Sequence, residues 1–99
     1  MIPEGLATLY GYTFSGCYAL TDATLPSTVI KIGDGVFENC PSLIRVNIKA
    51  LQAPDIGLDA FRNNHANRKF YVPTDAVANW KANTKWVEAG YSGAVNPMN

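Results

Sequence analysis

Apolar residues return along this chain at a fixed interval. In "TFSGCYALTDATL" (residues 13–25) and "VFENCPSLIRVNI" (residues 36–48) an aromatic, a cysteine and two aliphatics recur at identical offsets. Phe14 returns as Phe37, Cys17 as Cys40, Leu20 as Leu43 and Leu25 as Ile48. "AFRNNHANRKFYV" (residues 60–72) is a worn third copy, with the columns Phe14/Phe37/Phe61, Cys17/Cys40/Asn64, Leu20/Leu43/Asn67, Ala23/Val46/Phe70 and Leu25/Ile48/Val72. Working backwards from each Phe, Leu9/Ile32/Ile56 and Leu6/Val29/Ala53 form two more apolar columns. The first interval is 23 residues and the second 24, the extra residue falling in "KALQAPD". A period in this range marks a solenoid, in which each coil buries its apolar face only by stacking on its neighbours.

The spacing within a coil predicts its parts. Leu43-x-x-Val46-x-Ile48 ends in strict alternation, which suits a short strand with its apolar side inward. Stacked coils would set these strands side by side as a parallel sheet. "GDGVFENC" has room for no more than a helical turn and reads as the convex return, with corners at Pro26, Gly33, Gly35, Pro41 and Pro54. After the third strand, "VPTDAVANWKANTKW" predicts a helix, with Thr74 as N-cap and Asp75 favourable in its first turn. Val77, Trp80 and the stem of Lys81 fall on one face of it. A solenoid's last coil exposes an apolar end, and Trp80 and Trp86 are large enough to cover it. The other reading of the pair, an aromatic ligand platform, ranks below covering.

The fold predicted is thus an α/β solenoid of about three coils with short parallel strands and short convex helical turns. The coils occupy residues 1–73, a helical cap residues 74–90, and a flexible polar tail residues 91–99. Ile2 and Pro3 fall in the columns of Leu25 and Pro26, so the chain opens on a strand already in register. An unpaired apolar edge is a liability. Either further coils precede it in a longer parent, the preferred reading, or the edge pairs with a second copy in self-association.

Composition narrows the class without changing this picture. The 99 residues suffice for one domain, and 47% hydrophobic with 16% charged residues is globular. Eight basic residues balance eight acidic ones, which leaves no overall field to draw nucleic acid or an anionic membrane. No apolar run is long enough to span a bilayer, and "MIPEGLATLY" lacks the basic start and long apolar core of a signal peptide.

Candidate chemistry is sparse. Stacked coils roughly 4.8 Å apart permit the Cα separation of a Cys17–Cys40 bridge, although Cβ atoms at that spacing stand wider than the usual ~3.8 Å. Position in the repeat favours two small buried hydrophobes with free thiols, stacked in one inner column. The two cysteines and the lone His65 do not have metal-ligand spacing. A hydrolase built on a cysteine and His65 would need a reactive, accessible thiol, and a core cysteine is inert. "GDG" at residues 33–35 is a turn signature without the rest of a calcium loop or phosphate cradle. The chain therefore reads as no enzyme, with neither cofactor nor metal.

A surface remains. Alternation points Thr21, Asp22 and Thr24, then Ile44, Arg45 and Asn47, then Arg68, Lys69 and Tyr71 away from the core. Stacking aligns Asp22/Arg45/Lys69 and Thr24/Asn47/Tyr71 in two columns. Solenoids use such faces for protein recognition. These six residues are the candidate protein-binding face, with Arg45, Lys69 and Tyr71 favoured because Arg and Tyr are common interface anchors. The competing reading, an ordinary solvated sheet face, stands close beside it.

Phe-x-x-Cys-x-x-Leu at this period, "IG" before the Phe and "LP" after the strand resemble the BspA-like leucine-rich repeats of bacterial and protist surface proteins. The residues that carry the resemblance are Ile32, Gly33, Phe37, Cys40, Leu43, Val46 and Ile48, with Phe14, Cys17, Leu20, Leu25 and Pro26 before them. "FYVPTDAVANWKANTKW" is similar to that family's terminal cap. Asn64 and Asn67 depart from the expected Cys and Leu, which predicts a polar or locally irregular edge in the last coil. Tyr10 stands where the family usually has Gly. The resemblance implies a non-catalytic interaction or adhesion module, at the cell surface or secreted, with a host extracellular protein as partner. The alternative it leaves is a purely structural segment that closes a longer solenoid whose other repeats bind the ligand.

Overall fold

Where alternation is strict, the backbone is extended. The computed structural model describes residues 5–98, so Ile2 and Pro3, which carry the strand-edge reading, lie outside the described residues. Strands β1 (Thr8–Leu9), β2 (Asp22–Leu25), β3 (Lys31–Ile32), β4 (Arg45–Ile48), β5 (Asp55–Ile56) and β6 (Lys69–Val72) come first. Helices α1 (Val77–Ala82) and α2 (Thr84–Glu88) and strand β7 (Val95–Pro97) follow. The long strands form a parallel sheet in the order β2-β4-β6-β7. In β2, β4 and β6 alike the second and fourth residues are buried, namely Ala23 and Leu25, Val46 and Ile48, Phe70 and Val72.

The sequence predicts one sheet; the structure has two. β1, β3 and β5 form a second parallel sheet in that order, aligning Leu9, Ile32 and Ile56. A two-residue strand is too short for alternation to announce it. Its backbone groups nevertheless need partners, and in stacked repeats the neighbouring repeat, about 4.8 Å away, supplies them.

The expected helical returns are hydrogen-bonded turns over residues 11–16, 34–39 and 58–63. Here the N–H of one repeat donates to the carbonyl of the next: Phe14 to Val36 at 2.9 Å and Phe37 to Ala60 at 2.8 Å. Two columns in these turns are left-handed throughout, Tyr12/Gly35/Asp59 and Gly16/Asn39/Asn63, with φ between 57° and 77°. That conformation turns the chain sharply enough for amides to face the neighbouring repeat, which a helix would not allow.

Inside, Phe14, Phe37 and Phe61 stack with ring centroids 5.3 and 5.4 Å apart and planes within 8°. Phe37 is fully buried, and Phe14, Cys17 and Leu20 are half-buried because they have one stacked neighbour among the described residues. The departure at Asn64 is polar without being irregular. Cys40 Sγ donates to Phe14 O at 3.2 Å, and Asn64 Nδ2 donates to Phe37 O at 2.8 Å. The column therefore supplies one donor per repeat to the carbonyl of the repeat before it, and Asn replaces Cys as a stronger donor. The exposed Asn67 leaves the Leu column short of apolar volume, and Arg68 fills it. Its guanidinium lies over Phe70 (4.7 Å) and Tyr91 (5.0 Å) while Nη1 donates to Phe61 O and Asn64 Oδ1.

The C-terminal segment differs in detail from the reading. Thr74 makes no capping hydrogen bond; Thr74–Ala76 is a 3₁₀ turn behind Pro73, and α1 starts after it. The capping side chain is Asn83, which accepts from the N–H groups of Lys85 and Trp86 and turns the chain sharply between the two helices. Trp80 and Trp86 are fully buried, their indole N–H groups donating to Ala50 O (3.2 Å) and Pro54 O (2.9 Å). Trp86 packs edge-on against Phe70 at 5.1 Å. Residues 95–97, read as tail from the sequence, pair with β6, and Val95 is buried.

Candidate functional site

The outward positions of the long sheet form the columns the spacing predicts. Asp22, Arg45 and Lys69 are in register, as are Thr24, Asn47 and Tyr71. β7 extends the second column by Asn96, opposite Tyr71, which the sequence reading missed because nothing in "SGAVNPMN" repeats the earlier strands. Arg68 belongs to neither column: although placed outward by alternation, it turns in against the aromatic core, and its Nε is buried without a partner. Burial pulls its guanidinium pKa down, an effect partly countered by Tyr91.

Arg45 is held in place. Its guanidinium carbon lies 3.9 Å from the centre of the Tyr71 ring, and its Nε donates to Asn47 Oδ1 at 3.1 Å. Asn47 Nδ2 in turn reaches Thr24 Oγ1 at 3.4 Å. Arg45 is therefore pre-oriented across two strands, and no described residue accepts from its terminal nitrogens. A shallow depression of about 400 Å³ runs beside it, lined by Asp22, Ile44, Arg45, Asn67, Lys69 and Tyr71. An immobilised Arg loses less side-chain entropy when it meets a carboxylate or a carbonyl, and its planar fork favours such acceptors. The pair is arranged to bind such an acceptor.

The cysteines are free, and they are not equivalent. Cys40 is fully buried, whereas Cys17, expected in the same buried column, is half-exposed. Burial raises the Cys40 thiol above its ordinary value near 9, an effect partly countered by hydrogen bonding to the backbone of Cys17 and Gly16, with the charge of the Cys17 thiol a smaller contribution in the raising direction. A raised thiol pKa favours the fold below pH 9; that contribution fades as the pH climbs further, because the unfolded thiol ionises first. Native-state alkylation should therefore label Cys17 readily and Cys40 only after unfolding, with both labelled in denaturant without reductant. Equal labelling rates in the native state would overturn this assignment. His65 Nδ1 accepts from the Asn67 N–H at 3.0 Å in a surface turn. Among the described residues no cluster of His, Cys, Asp and Glu is placed to hold a metal ion, and no helix is long and apolar enough to cross a membrane.

Against known proteins, residues 1–83 match a family model described as BspA type Leucine rich repeat region (6 copies). The same chain gives no match among curated proteins or solved structures.

Proposed function

The chain belongs to the BspA-type leucine-rich repeat family, and from that premise we propose that it is a non-catalytic protein-interaction module. In this reading about three stacked coils form a solenoid, and the α1–α2 segment closes its end. The long-sheet face of Asp22, Thr24, Arg45, Asn47, Lys69 and Tyr71 docks a protein ligand at the cell surface or outside the cell. The observation that supports it most is the Arg45–Tyr71 stack, an Arg and an aromatic held in contact on an exposed sheet, the residue types that dominate interface energetics. An extracellular host protein is the expected partner.

The double variant Arg45→Glu/Tyr71→Ala tests this. Both residues lie outside the core, so its thermal melt should stay close to the parent's. Capture of ligands from a panel of purified extracellular host proteins should weaken at least about tenfold. Undiminished binding by the folded variant would remove the face from the function.

The second reading, a segment that only closes a longer solenoid, is favoured by one observation: both tryptophans are fully buried against the last repeat. It predicts that no member of the panel binds the parent chain through the long-sheet face.

A further inference from the structure

The short sheet carries a second concavity that the protein-binding reading does not use. A groove of about 400 Å³ opens over β1, β3 and β5. It continues past Asp34, Ile56, Gly57 and Lys85 to Leu58 and Glu88. Its floor is bare backbone. A Cβ on Gly33 would come within 2.9 Å of Leu9 O, and one on Gly57 within 2.5 Å of Asp34 N, so close stacking of the repeats requires glycine at both. Tyr10 and Tyr12 wall one end, 75% and 61% exposed. Lys31, Asp34, Asp55 and Lys85 stand along the rest.

Tyr12 is the informative residue. It sits at φ 62°, in a column otherwise occupied by Gly35 and Asp59. Glycine and aspartate tolerate the left-handed region; an aromatic residue seldom occupies it. Its ring lies across Gly35, where a Cβ would collide with it. The Cδ1 and Cε1 atoms of the ring are therefore set against the backbone of the next repeat, while much of the side chain stays open to solvent. A backbone disfavour kept at an exposed aromatic, where glycine would fit the turn better, fits a side chain retained for contact.

Charge selects the ligand class. Over the short sheet Lys31 and Lys85 balance Asp34 and Asp55, with Glu88 one further carboxylate at the far end, and Lys85 Nζ is already 3.3 Å from Asp55. Asp34 Oδ1 accepts from the Leu58 N–H at 2.9 Å, and its other oxygen has no hydrogen bond among the described residues. The groove thus combines aromatic rings with donors and acceptors and has no excess positive charge to hold an anionic chain. A pyranose ring has the matching surface, an apolar C–H face ringed by hydroxyls that both donate and accept. We propose that this groove binds a neutral saccharide, its ring stacked on Tyr12 and Tyr10 and its hydroxyls bonded to Asp34, Asp55 and Lys31.

The test is titration of the intact chain with maltotriose, cellotriose, mannobiose and diacetylchitobiose, and with a heparin-derived disaccharide as anionic probe, followed by amide NMR. At least one neutral sugar should shift the amides of residues 10–12, 31–34 and 55–57. Tyr12→Gly should weaken that binding tenfold or more while melting at the same or a higher temperature, since glycine fits the left-handed position better. That pairing of lost binding with kept or gained stability is what a merely structural Tyr12 would not produce. Tyr10→Ala, on a ring 75% exposed, should weaken binding too and serves if Tyr12→Gly fails to fold. The inference fails if no neutral sugar moves those amides at tens of millimolar, if only the heparin fragment does, or if both variants bind like the parent. Arg45→Glu/Tyr71→Ala should keep sugar binding, which separates failure here from failure of the protein-binding face.

Discussion

Replacing Phe37 by alanine should destabilise the domain by about 3–5 kcal/mol, enough to unfold it or abolish soluble expression. Phe37 is the middle ring of the Phe14–Phe37–Phe61 stack, fully buried, with a parallel ring 5.3 Å away on one side and 5.4 Å on the other. Truncation removes the contacts of both faces at once. The flanking repeats cannot close over the gap, because their spacing is fixed by the coil-to-coil hydrogen bonds of the turns on either side of the ring, including the Phe37 N–H to Ala60 O. The cavity therefore stays open and its full cost is felt. Phe14→Ala should cost less, since Phe14 is half-buried and has one stacked ring. Urea unfolding measures both. A Phe37→Ala midpoint equal to the parent's would mean that the stack does not hold the repeats together.

The second large effect is expected at the C-terminal end. Trp86→Ala should also cost about 3–5 kcal/mol. The indole touches the rings of Phe61, Phe70, Trp80 and Tyr91, an aromatic contact set matched among the described residues only by that of Phe61. Its N–H donates to Pro54 O at 2.9 Å, so truncation also leaves a buried carbonyl without a partner. Trp86→Phe keeps one buried ring but loses the hydrogen bond and part of the indole volume; an intermediate cost of about 1–3 kcal/mol is expected there. Deleting residues 74–99 should go further, stripping both tryptophans and β7 from the last repeat and leaving an insoluble chain. A soluble, cooperatively folding truncation would show that the first three strands of the long sheet need no cover.

The recurrence of Phe14, Phe37 and Phe61, and the alternation Ala23-x-Leu25, Val46-x-Ile48 and Phe70-x-Val72, determine the long sheet and its register by themselves. A period-2 apolar pattern has only one face that can be buried, and a one-residue slip would expose all of it. The same logic aligns Asp22, Arg45 and Lys69, as the strand pairing does. The left-handed Gly16/Asn39/Asn63 column went unread in the sequence, although Gly and Asn share that tolerance; Tyr12 concealed its partner column.

What only the tertiary structure decided has a common physical cause: each case depends on a partner far away in sequence. β1, β3 and β5 are too short to show a pattern and exist because the neighbouring repeat completes their hydrogen bonds. β7 shares no motif with the other strands and is defined by the open edge of β6. Arg68 sits at an outward position of the alternation yet turns inward, because Asn67 leaves a space that its long stem and flat guanidinium can fill against Phe70 and Tyr91. The Arg45–Tyr71 contact spans two strands diagonally, and Tyr12 lies over a glycine of the next repeat. A repeat sequence determines the column in which each residue stands. Which way a long or aromatic side chain leans within that column is decided by the volume its neighbours leave, and that volume exists only once the repeats are stacked.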